Sequence, residues 1–401
     1  MIHPRSFERL IGSPRRRGAV LLSLFWGTAC AADPVPPPVS AEIGRPLPGL
    51  SAAEADRFEQ GRTLFRRIFT PEEGLGPRFN ENSCNACHTF PADGGTGETA
   101  VTKRTRDDAG RCDLLVPHGG ENVRIQVTRI AAGLGATPTR EVEGATHTGR
   151  FTIPFIFGLG LVEAIPQGTL DALADPDDAD GDGISGRVGR TADGRPARFG
   201  RKADVATLAD FNDSAFRLEM GLTTPSVPDE SRAGGTPPVP DGSDPAPEPE
   251  IDAASLARVT DFVRFLAPPA PAERDDPEVL RGRETFEELG CTSCHVPVLT
   301  TGEHESPALA HQRIALYSDL LLHDMGPDFQ GSCGAGASTT EYRTEPLLGL
   351  RHRQEYLHDG RARRVMDAIL AHGGEAAAVR ARFAALNRLE QEYVLRFLDT
   401  L

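Results

Sequence analysis

Two short segments of the sequence place a pair of thiols and an imidazole at a fixed spacing. The pattern Cys-x-x-Cys-His occurs at Cys84, Cys87 and His88, and again at Cys291, Cys294 and His295. Two cysteines at this spacing can form thioether bonds to the vinyl groups of one haem, and the histidine that follows can ligate its iron. The two motifs therefore predict two covalently bound c-type haems.

Two other kinds of site could use the same thiols. The two Cys-x-x-Cys pairs could build a zinc site, or either pair could act as a redox dithiol. Zinc needs no histidine directly after each pair, and a thioredoxin-like dithiol is expected within a βαβ unit that this sequence does not predict. These arguments favour haem, and a zinc site and a redox dithiol are the alternatives.

Each motif follows a segment with helical periodicity, so a helix should position each one. Residues 51–69 begin with a serine that can cap a helix, and their apolar residues recur at helical spacing. Residues 275–295 repeat this arrangement around the second motif. The corresponding residues are Gly61 and Gly282, Arg62 and Arg283, and Phe65 and Phe286. Helix and motif together form an internal repeat.

The separation of the two motifs predicts one helical domain for each haem. The predicted segments are a signal peptide at 1–32, a proline-rich arm at 33–50, an N-terminal haem c domain with insertions at 51–222, a linker rich in proline, glycine and acidic residues at 223–250, and a C-terminal haem c domain at 251–401. Helical periodicity also marks 362–372 and 375–400, whereas strand signals are few and are strongest at 122–131. The predicted fold class is mostly α, with extensive ordered loops and a few short strands.

The first 32 residues have the pattern of a signal for export. An arginine-rich stretch precedes an apolar run, and small residues follow at 29–32. The run is too short to span a bilayer as a mature helix, so the mature chain is predicted to be periplasmic and to have no transmembrane segment. The alternative is lipid anchoring through Cys30, although Gly27 stands where a lipoprotein signal normally has a leucine-like residue.

The composition is that of an acidic globular protein. The 401 residues are 39% hydrophobic, which is enough to bury one large core or two smaller ones. Removal of residues 1–31 takes away five arginines and one glutamate and moves the net charge from −15 to about −19. This charge argues against nucleic acid and anionic membranes as partners, and it would attract basic partners. The alternative is that the charge only keeps the protein soluble.

Several segments together resemble one known family. They are GPRFNENSCNACH, DPDDADGDGISGR, YSDLLLHDMG, YLHDGRA and AILAHGGEA. In this combination the chain resembles the bacterial di-haem oxidoreductases, relatives of di-haem cytochrome c peroxidase and of the di-haem enzyme that matures methylamine dehydrogenase. The resemblance covers most of the mature chain. It implies two cytochrome c-like haem domains, one haem for electron entry and one for peroxide, and calcium near the domain interface.

The resemblance also implies an axial pair for the second haem. In the peroxidase relatives the second ligand, usually a methionine, follows the HDG segment, and the corresponding position after Gly360 is His372. We therefore expect His295 and His372 to ligate this iron, with Met325 as the competing ligand. Because a bis-histidine iron normally has a lower potential than a His/Met iron, this departure argues against the usual high-potential role of that haem.

For the first haem, His88 is the expected proximal ligand. Peroxidase relatives have a distal histidine; His147 is the candidate here and His118 a weaker one, and the alternative for both is a surface or structural role. Peroxide cleavage also needs a group that moves a proton between the two oxygen atoms. Glu163 lies in the apolar segment GLGLVEAIP, where burial would favour a protonated carboxyl, and it is the predicted acid/base. The alternative is a carboxylate paired with an arginine.

A calcium site is predicted outside the haem motifs. Asp178, Asp180 and Asp182 alternate before a glycine, as in the first half of an EF-hand loop. Gly189 occupies the twelfth position, where an EF-hand has glutamate, so we expect a shortened calcium site. The alternative is a solvated acidic turn.

Four further residues have candidate roles. Cys112 and Cys333 remain after the haem motifs, and they would form a disulfide in an oxidising compartment if the fold brings them together. Arg361 and Arg363 follow the HDG segment and are candidates to pair with haem propionates. The alternative for these arginines is a solvated surface.

The residues favour an oxidoreductase. The leading hypothesis, which the resemblance implies, is reduction of hydrogen peroxide with electrons from a small cytochrome c or cupredoxin-type donor. The alternatives are a di-haem electron-transfer or redox-sensing protein without turnover, and an oxidase of a protein or metal substrate. An iron with both axial positions filled by protein can only pass electrons, so the distal ligands decide between turnover and electron transfer.

Overall fold

A computed structural model of the protein describes residues 36–139, 141–230, 238–272 and 275–401. The predicted signal peptide with Cys30, the start of the proline-rich arm and residues 231–237 of the predicted linker lie outside the described residues. No helix within the described ranges is both long and apolar enough to cross a membrane.

Helices supply most of the regular structure, so the predicted mostly α fold class is confirmed. In the described part of the chain the α-helices are α1 (Ala52–Phe65), α2 (Cys84–Cys87), α3 (Arg129–Gly133), α4 (Leu159–Glu163), α5 (Gln167–Leu173), α6 (Leu208–Glu219), α7 (Ala253–Phe265), α8 (Pro277–Glu288), α9 (Val365–Ala371), α10 (Ala377–Ala385) and α11 (Arg388–Leu398). The helices α1 and α8 are the ones that the sequence predicts ahead of the two motifs.

Local capping sets where the key helices begin. Ser51 and Glu54 form a capping box at the start of α1, since each side chain accepts a hydrogen bond from the other residue's backbone N–H. Asp276 caps α8 by accepting from the backbone of its first turn. Asn387 caps α11 and separates it from α10, so the helical stretch predicted at 375–400 is interrupted.

The two halves of the internal repeat use the same kind of helix pair, because α1 packs against α7 and α8 packs against α11. Glycine allows the close approach in both pairs. A Cβ atom at Gly61 would lie 2.1 Å from the carbonyl oxygen of Arg258, and one at Gly282 would lie 1.9 Å from that of Tyr393. The repeat seen in the sequence is therefore also a repeat in helix packing.

In the described ranges, β-structure consists of short antiparallel pairs and one three-stranded sheet. The strands are β1 (Arg78–Phe79), β2 (Val101–Asp108), β3 (Arg111–Asp113), β4 (Gln126–Val127), β5 (His147–Phe151), β6 (Gly189–Arg190), β7 (Pro196–Ala197), β8 (Leu299–Thr300), β9 (Arg313–Ile314), β10 (Leu322–Asp324) and β11 (Glu341–Arg343). The three-stranded sheet has the order β3-β2-β5, with Thr105 opposite His147. The remaining sheets pair β1 with β4, β6 with β7, β8 with β9 and β10 with β11.

The strand predicted at 122–131 is largely wrong. The two residues of β4 and an isolated bridge from Asn122 to Lys103 are paired there, and Thr128 begins α3 instead, because its hydroxyl accepts a hydrogen bond from the N–H of Ala131. The longest strand is β2, which is rich in charged residues and lacks the alternation of apolar residues that predicts a strand. Its pairing with β5, from a separate part of the chain, decides its conformation.

Two clusters of buried apolar residues lie behind the two motifs. The first draws on α1 and α7, and Cys84 packs against it. The second draws on α8 and α11, and Cys291 packs against it. The described chain from Pro37 to Leu401 forms one compact unit, and the division into two haem domains remains a prediction.

Candidate functional site

The first Cys-x-x-Cys-His motif forms the single helical turn α2. Ser83 begins this turn, because its hydroxyl accepts a hydrogen bond from the backbone N–H of Ala86 at 3.1 Å. The turn also brings the backbone N–H of His88 to the carbonyl oxygen of Cys84, at an N···O distance of 3.1 Å. Both thiols and the imidazole are thus carried by one turn of backbone.

The second motif has the same local geometry after α8. Gly290 has a φ of 82°, in the left-handed region that favours glycine, and it turns the chain from α8 into a short 3-10 helix at Cys291–Ser293. The backbone N–H of His295 donates to the carbonyl oxygen of Cys291 at 2.9 Å. The two motifs therefore present their cysteines and histidine in matching order on matching turns.

A phenylalanine from the preceding helix contacts the histidine of each motif. The ring centroids of Phe65 and His88 are 6.2 Å apart with an interplanar angle of 50°. The corresponding values for Phe286 and His295 are 6.3 Å and 51°. The two halves of the internal repeat therefore also share the orientation of the motif histidine relative to this phenylalanine.

Three histidines share one hydrogen-bond arrangement. The Nδ1 atom lies 2.9 Å from the carbonyl oxygen of Gly95 in His88, 2.9 Å from that of Tyr317 in His295 and 2.8 Å from that of Ala368 in His372. A carbonyl oxygen only accepts, so each ring carries its proton on Nδ1. In His295 and His372 this leaves the Nε2 lone pair to ligate a metal, whereas His88 has a second backbone hydrogen bond, to Pro154.

The same three imidazoles are neutral at neutral pH. Burial is the main cause that lowers the pKa of His88 and of His372. Burial, together with the nearby His372, lowers the pKa of His295 to about 4. A neutral imidazole is the form that ligates iron, so the electrostatics agree with the hydrogen-bond pattern.

The thiols are in the wrong state for dithiol redox chemistry. Burial raises the pKa of Cys84 and of Cys291 to about 12, whereas a redox dithiol acts as a thiolate. The clusters of three or more potential metal-binding side chains within the described ranges never contain two cysteines. The two Cys-x-x-Cys pairs therefore do not assemble a zinc site in this part of the chain.

A cavity lies against the second motif. Its volume is about 220 Å³, and its lining is mainly apolar. Cys291, Cys294, His295 and His372 all line it, and Met325 lines it as well. The structure thus brings the second motif and the predicted sixth ligand to one cavity, and this donor set fits a haem with a histidine on each side.

A family comparison agrees with this donor set. Residues 141–401, well over half of the chain, match the family model described as "Di-haem oxidoreductase, putative peroxidase". The chain belongs to this family. Membership implies an oxidoreductase with two haem cofactors. The matched residues include the second motif and His372, whereas the first motif precedes them.

Solved structures give only distant likenesses for this di-haem oxidoreductase. Kuenenia stuttgartiensis hydrazine synthase is 14% identical over 97% of this chain and 100% of its own, with a TM-score of 0.42. A MauG-like protein associated with microbial copper homeostasis is 16% identical over 92% and 94%, with a TM-score of 0.41. The diheme peroxidase BthA from Burkholderia thailandensis E264 is 14% identical over 90% and 87%, with a TM-score of 0.42. No curated protein sequence matches the chain.

Glu163, the predicted acid/base of this di-haem oxidoreductase, is the last residue of α4. One carboxylate oxygen accepts from the backbone N–H of Leu208 at 2.8 Å, and the other lies 3.1 Å from Nε of Arg264. The structure therefore places Glu163 in the arginine-paired arrangement. Its catalytic role remains a prediction, and that role would require the carboxylate to leave Arg264.

His147, the predicted distal histidine, is the first residue of β5. Its Nδ1 lies 2.9 Å from the hydroxyl of Thr146 and its Nε2 lies 3.5 Å from the side-chain amide of Gln330. Among the described hydrogen bonds, none joins His147 or Glu163 to His88. The distal side of the first haem is therefore still a prediction.

The acidic loop at the predicted calcium site differs in one residue from the prediction. The carboxylates of Asp175, Asp178 and Asp180 converge to within 4.8 Å of one another. Asp182 lies outside this group, and its carboxylate accepts from the backbone N–H of Ile184 two residues later. Calcium binding remains a prediction, with Asp175 in the place of Asp182.

Cys112 and Cys333 form a disulfide, so the fold does bring them together. Arg361 and Arg363, the predicted propionate partners, bind surface carboxylates instead. Arg361 pairs with Asp359, and Arg363 pairs with Glu355.

One residue beside the second motif was missed at the level of sequence. His323, only 4% exposed, has Nε2 at 2.9 Å from Asp319 and Nδ1 at 2.8 Å from Glu375, and its ring reaches the sulfur of Cys294 at 3.8 Å. Burial would lower its pKa, but the bonds to Asp319, Cys294 and Glu375 raise the pKa to about 12. An imidazolium held between two carboxylates thus supports the second motif. The signal in the sequence was a histidine directly after the apolar run of YSDLLLHDMG.

Proposed function

We propose that this protein is an exported, periplasmic di-haem c-type oxidoreductase that reduces hydrogen peroxide. The electrons would come from a small cytochrome c or cupredoxin-type donor. In the overall reaction, one hydrogen peroxide takes up two electrons and two protons and gives two water molecules. The observation that carries the proposal is the convergence of Cys291, Cys294, His295 and His372 on one cavity, with both imidazoles neutral and their Nε2 atoms free.

Each motif would hold one haem. Cys84 and Cys87 would carry the first haem and His88 would ligate its iron; the residues of the second motif would do the same for the second haem. Haem iron supplies one-electron redox chemistry and, where an axial position is open, a binding site for a small molecule. His295 and His372 would together hold the second haem, which favours an electron-relay role for it and would leave peroxide chemistry to the first haem.

The residues around the two predicted ligands of the second iron keep the proton away from the iron side of the ring. Because Nδ1 of His295 and of His372 donates to a backbone carbonyl, Nε2 of these two rings carries no hydrogen. His323, with Asp319 and Glu375, would hold the second attachment turn in place through its contact with Cys294. The polypeptide thus orients both predicted ligands of the second iron through its own backbone carbonyls.

Low-temperature electron paramagnetic resonance of the ferric protein tests the proposal. We expect one low-spin iron with two histidine ligands and one high-spin iron with an open axial position. We also expect peroxide consumption that depends on a reduced cytochrome or cupredoxin donor. Two low-spin irons and no turnover would instead support the electron-transfer or sensing alternative. A preparation without pyridine haemochrome absorbance, from a host competent for cytochrome maturation, would refute both.

A further inference from the structure

Three arginines and one glutamate form a cluster in the wall of the second haem cavity. Arg201, Arg343, Glu345 and Arg353 all line the cavity. The carboxylate of Glu345 lies 2.7 Å from Arg201, 3.2 Å from Arg343 and 2.9 Å from Arg353. One carboxylate therefore holds three guanidinium groups at one place on the cavity surface.

The cluster has an excess of two positive charges in a buried location. The three arginine side chains are only 9–11% exposed. The Nε atoms of Arg201 and Arg353 are buried and have no hydrogen-bond partner among the described residues. Buried cations without a matching anion are destabilising, and buried N–H donors are normally paired. The cluster thus has the charge and the free donors to bind further anions.

The ligand chemistry that fits is a pair of carboxylates. Arginine is the side chain best suited to carboxylates, because its planar fork of N–H donors matches the two oxygen atoms. A haem bound through Cys291 and Cys294 carries two propionates, and their charge of −2 would balance the excess charge of the cluster. We propose that Arg201, Arg343 and Arg353 bind the two propionates of the second haem, with Glu345 as the anchor that positions the guanidinium groups. This inference rests on the proposed function for its two haems.

The proposal replaces the propionate partners expected from the sequence. Arg361 is 39% exposed and Arg363 is 69% exposed, and each already pairs with a carboxylate, Asp359 or Glu355. Neither residue is part of the cavity lining. They satisfy their charge at the surface, whereas the three buried arginines do not.

Arg201 connects this cluster to the other half of the chain. It precedes the predicted linker, whereas Arg343 and Arg353 follow it, and its Nη2 lies 3.2 Å from the carbonyl oxygen of Thr152. The propionates would therefore be held from both sides of the linker. Arg201 is a positioning residue for the haem rather than a group that reacts.

Two substitutions test the proposal in the purified holoprotein, one that removes a positive charge and one that removes a negative charge. Arg201→Gln removes a positive charge near the haem, which disfavours the reduced iron, so the potential of one of the two haems should fall. Glu345→Gln removes a negative charge, so the potential of the same haem should rise. We expect each substitution to change the reduction equilibrium constant by up to about tenfold, which corresponds to about 59 mV for a one-electron couple. Spectroelectrochemical titration resolves the two haems and measures both potentials.

Two further variants serve as controls. Arg363→Gln removes an exposed arginine charge outside the cavity, and both potentials should stay at their wild-type values. Arg201→Lys keeps the charge and loses the fork, so the potential should move less than in Arg201→Gln. If Arg201→Gln does not fold, Arg353→Gln replaces it as the test. Arg353 pairs with the same carboxylate, that of Glu345, and carries the same charge.

Several outcomes would overturn the proposal. Unchanged potentials in Arg201→Gln and Glu345→Gln would do so. A shift of the same sign in both variants would also do so, since it would report a general disturbance of the site. Pyridine haemochrome analysis distinguishes this failure from failure of the proposed function. Two haems per chain with unchanged potentials reject only the arginine cluster, whereas fewer than two haems reject the di-haem function itself.

Discussion

The tautomer of each predicted axial histidine is set by the backbone that surrounds it. His88, His295 and His372 come from different loops, yet each donates from Nδ1 to a carbonyl oxygen. A histidine ligand held in this way loses less rotamer freedom when it binds a metal. The shared arrangement is therefore the strongest residue-level support for all three as haem ligands.

Replacement of His372 tests the axial pair directly. In His372→Ala the second iron should lose its sixth ligand, and one low-spin ferric species should become high-spin in electron paramagnetic resonance. His311→Asn is the matched control, because His311 is 62% exposed and pairs with Glu303 at the surface. A low-spin signal that persists in His372→Ala but disappears in Met325→Leu would identify Met325 as the ligand instead.

The ion pairs between Glu345 and the three arginines should make the stability of the protein depend on pH in the acid range. Burial would raise its pKa, but Arg201, Arg353 and Arg343 outweigh burial and lower the pKa to about 2 from the usual 4.5. This folded-state pKa lies below the unfolded value, so the stabilisation is complete above pH 4.5 and is lost as the pH falls toward 2. It amounts to about 3 kcal/mol at neutral pH.

We therefore expect Glu345→Gln to lower the free energy of unfolding by about 3 kcal/mol at pH 7 and at pH 5, and by clearly less at pH 3. Urea unfolding at pH 7, 5 and 3 measures this. Glu355→Gln is the control, because its partner Arg363 is exposed and such surface pairs contribute about 0–1 kcal/mol. An equal loss in Glu345→Gln at all three pH values would contradict the assignment.

At the scale of elements, the molecule is built on two equivalent helix crossings. In each crossing a glycine of the helix before the motif lies against the backbone of its partner helix, and a phenylalanine of the same helix contacts the motif histidine. The helix crossing thereby fixes the distance between the core and the imidazole. The internal repeat in the sequence reflects this shared helix packing.

Alanine substitutions in two helices test the role of the crossing. In Gly282→Ala the new Cβ would lie 1.9 Å from the carbonyl oxygen of Tyr393, so the helices must separate, at a cost of about 1–3 kcal/mol. Gly168→Ala in α5 is the control, because no atom lies within 4 Å of its Cβ, and there we expect a gain of about 0.4–1 kcal/mol. Thermal unfolding followed by circular dichroism compares the two. A gain in stability in both variants would show that close packing is not required at Gly282.

At the scale of the whole molecule, the disulfide between Cys112 and Cys333 joins residues 221 positions apart. It connects the loop after β10 to the three-stranded sheet of the N-terminal half. A crosslink across so long a loop mainly restricts the unfolded chain. The double variant Cys112→Ala, Cys333→Ala should therefore be less stable by about 2–5 kcal/mol. Its urea midpoint, compared with that of the wild type under non-reducing conditions, measures this, and equal midpoints would rule out a stabilising role.

Features within a few residues of one another could be predicted from the sequence. The order and spacing of Cys84, Cys87 and His88 identify an attachment turn, and the same spacing identifies the second turn. The helices before the motifs follow from apolar periodicity and from the caps at Ser51 and Asp276. These features depend on backbone geometry over one or two turns, which short-range residue types determine.

Only the tertiary structure decided which distant residues share a site. The cluster joins Arg201 to Arg343, Glu345 and Arg353 from a second stretch of chain, and no spacing in the sequence relates Arg201 to the other three. The partners of Glu163 and the choice of Asp175 over Asp182 were decided in the same way. The two haem-attachment motifs could be predicted from the sequence because each depends only on residues that are neighbours in the chain. The cavity and its charge depend on the free energy of packing the whole chain, to which each residue contributes only a small part.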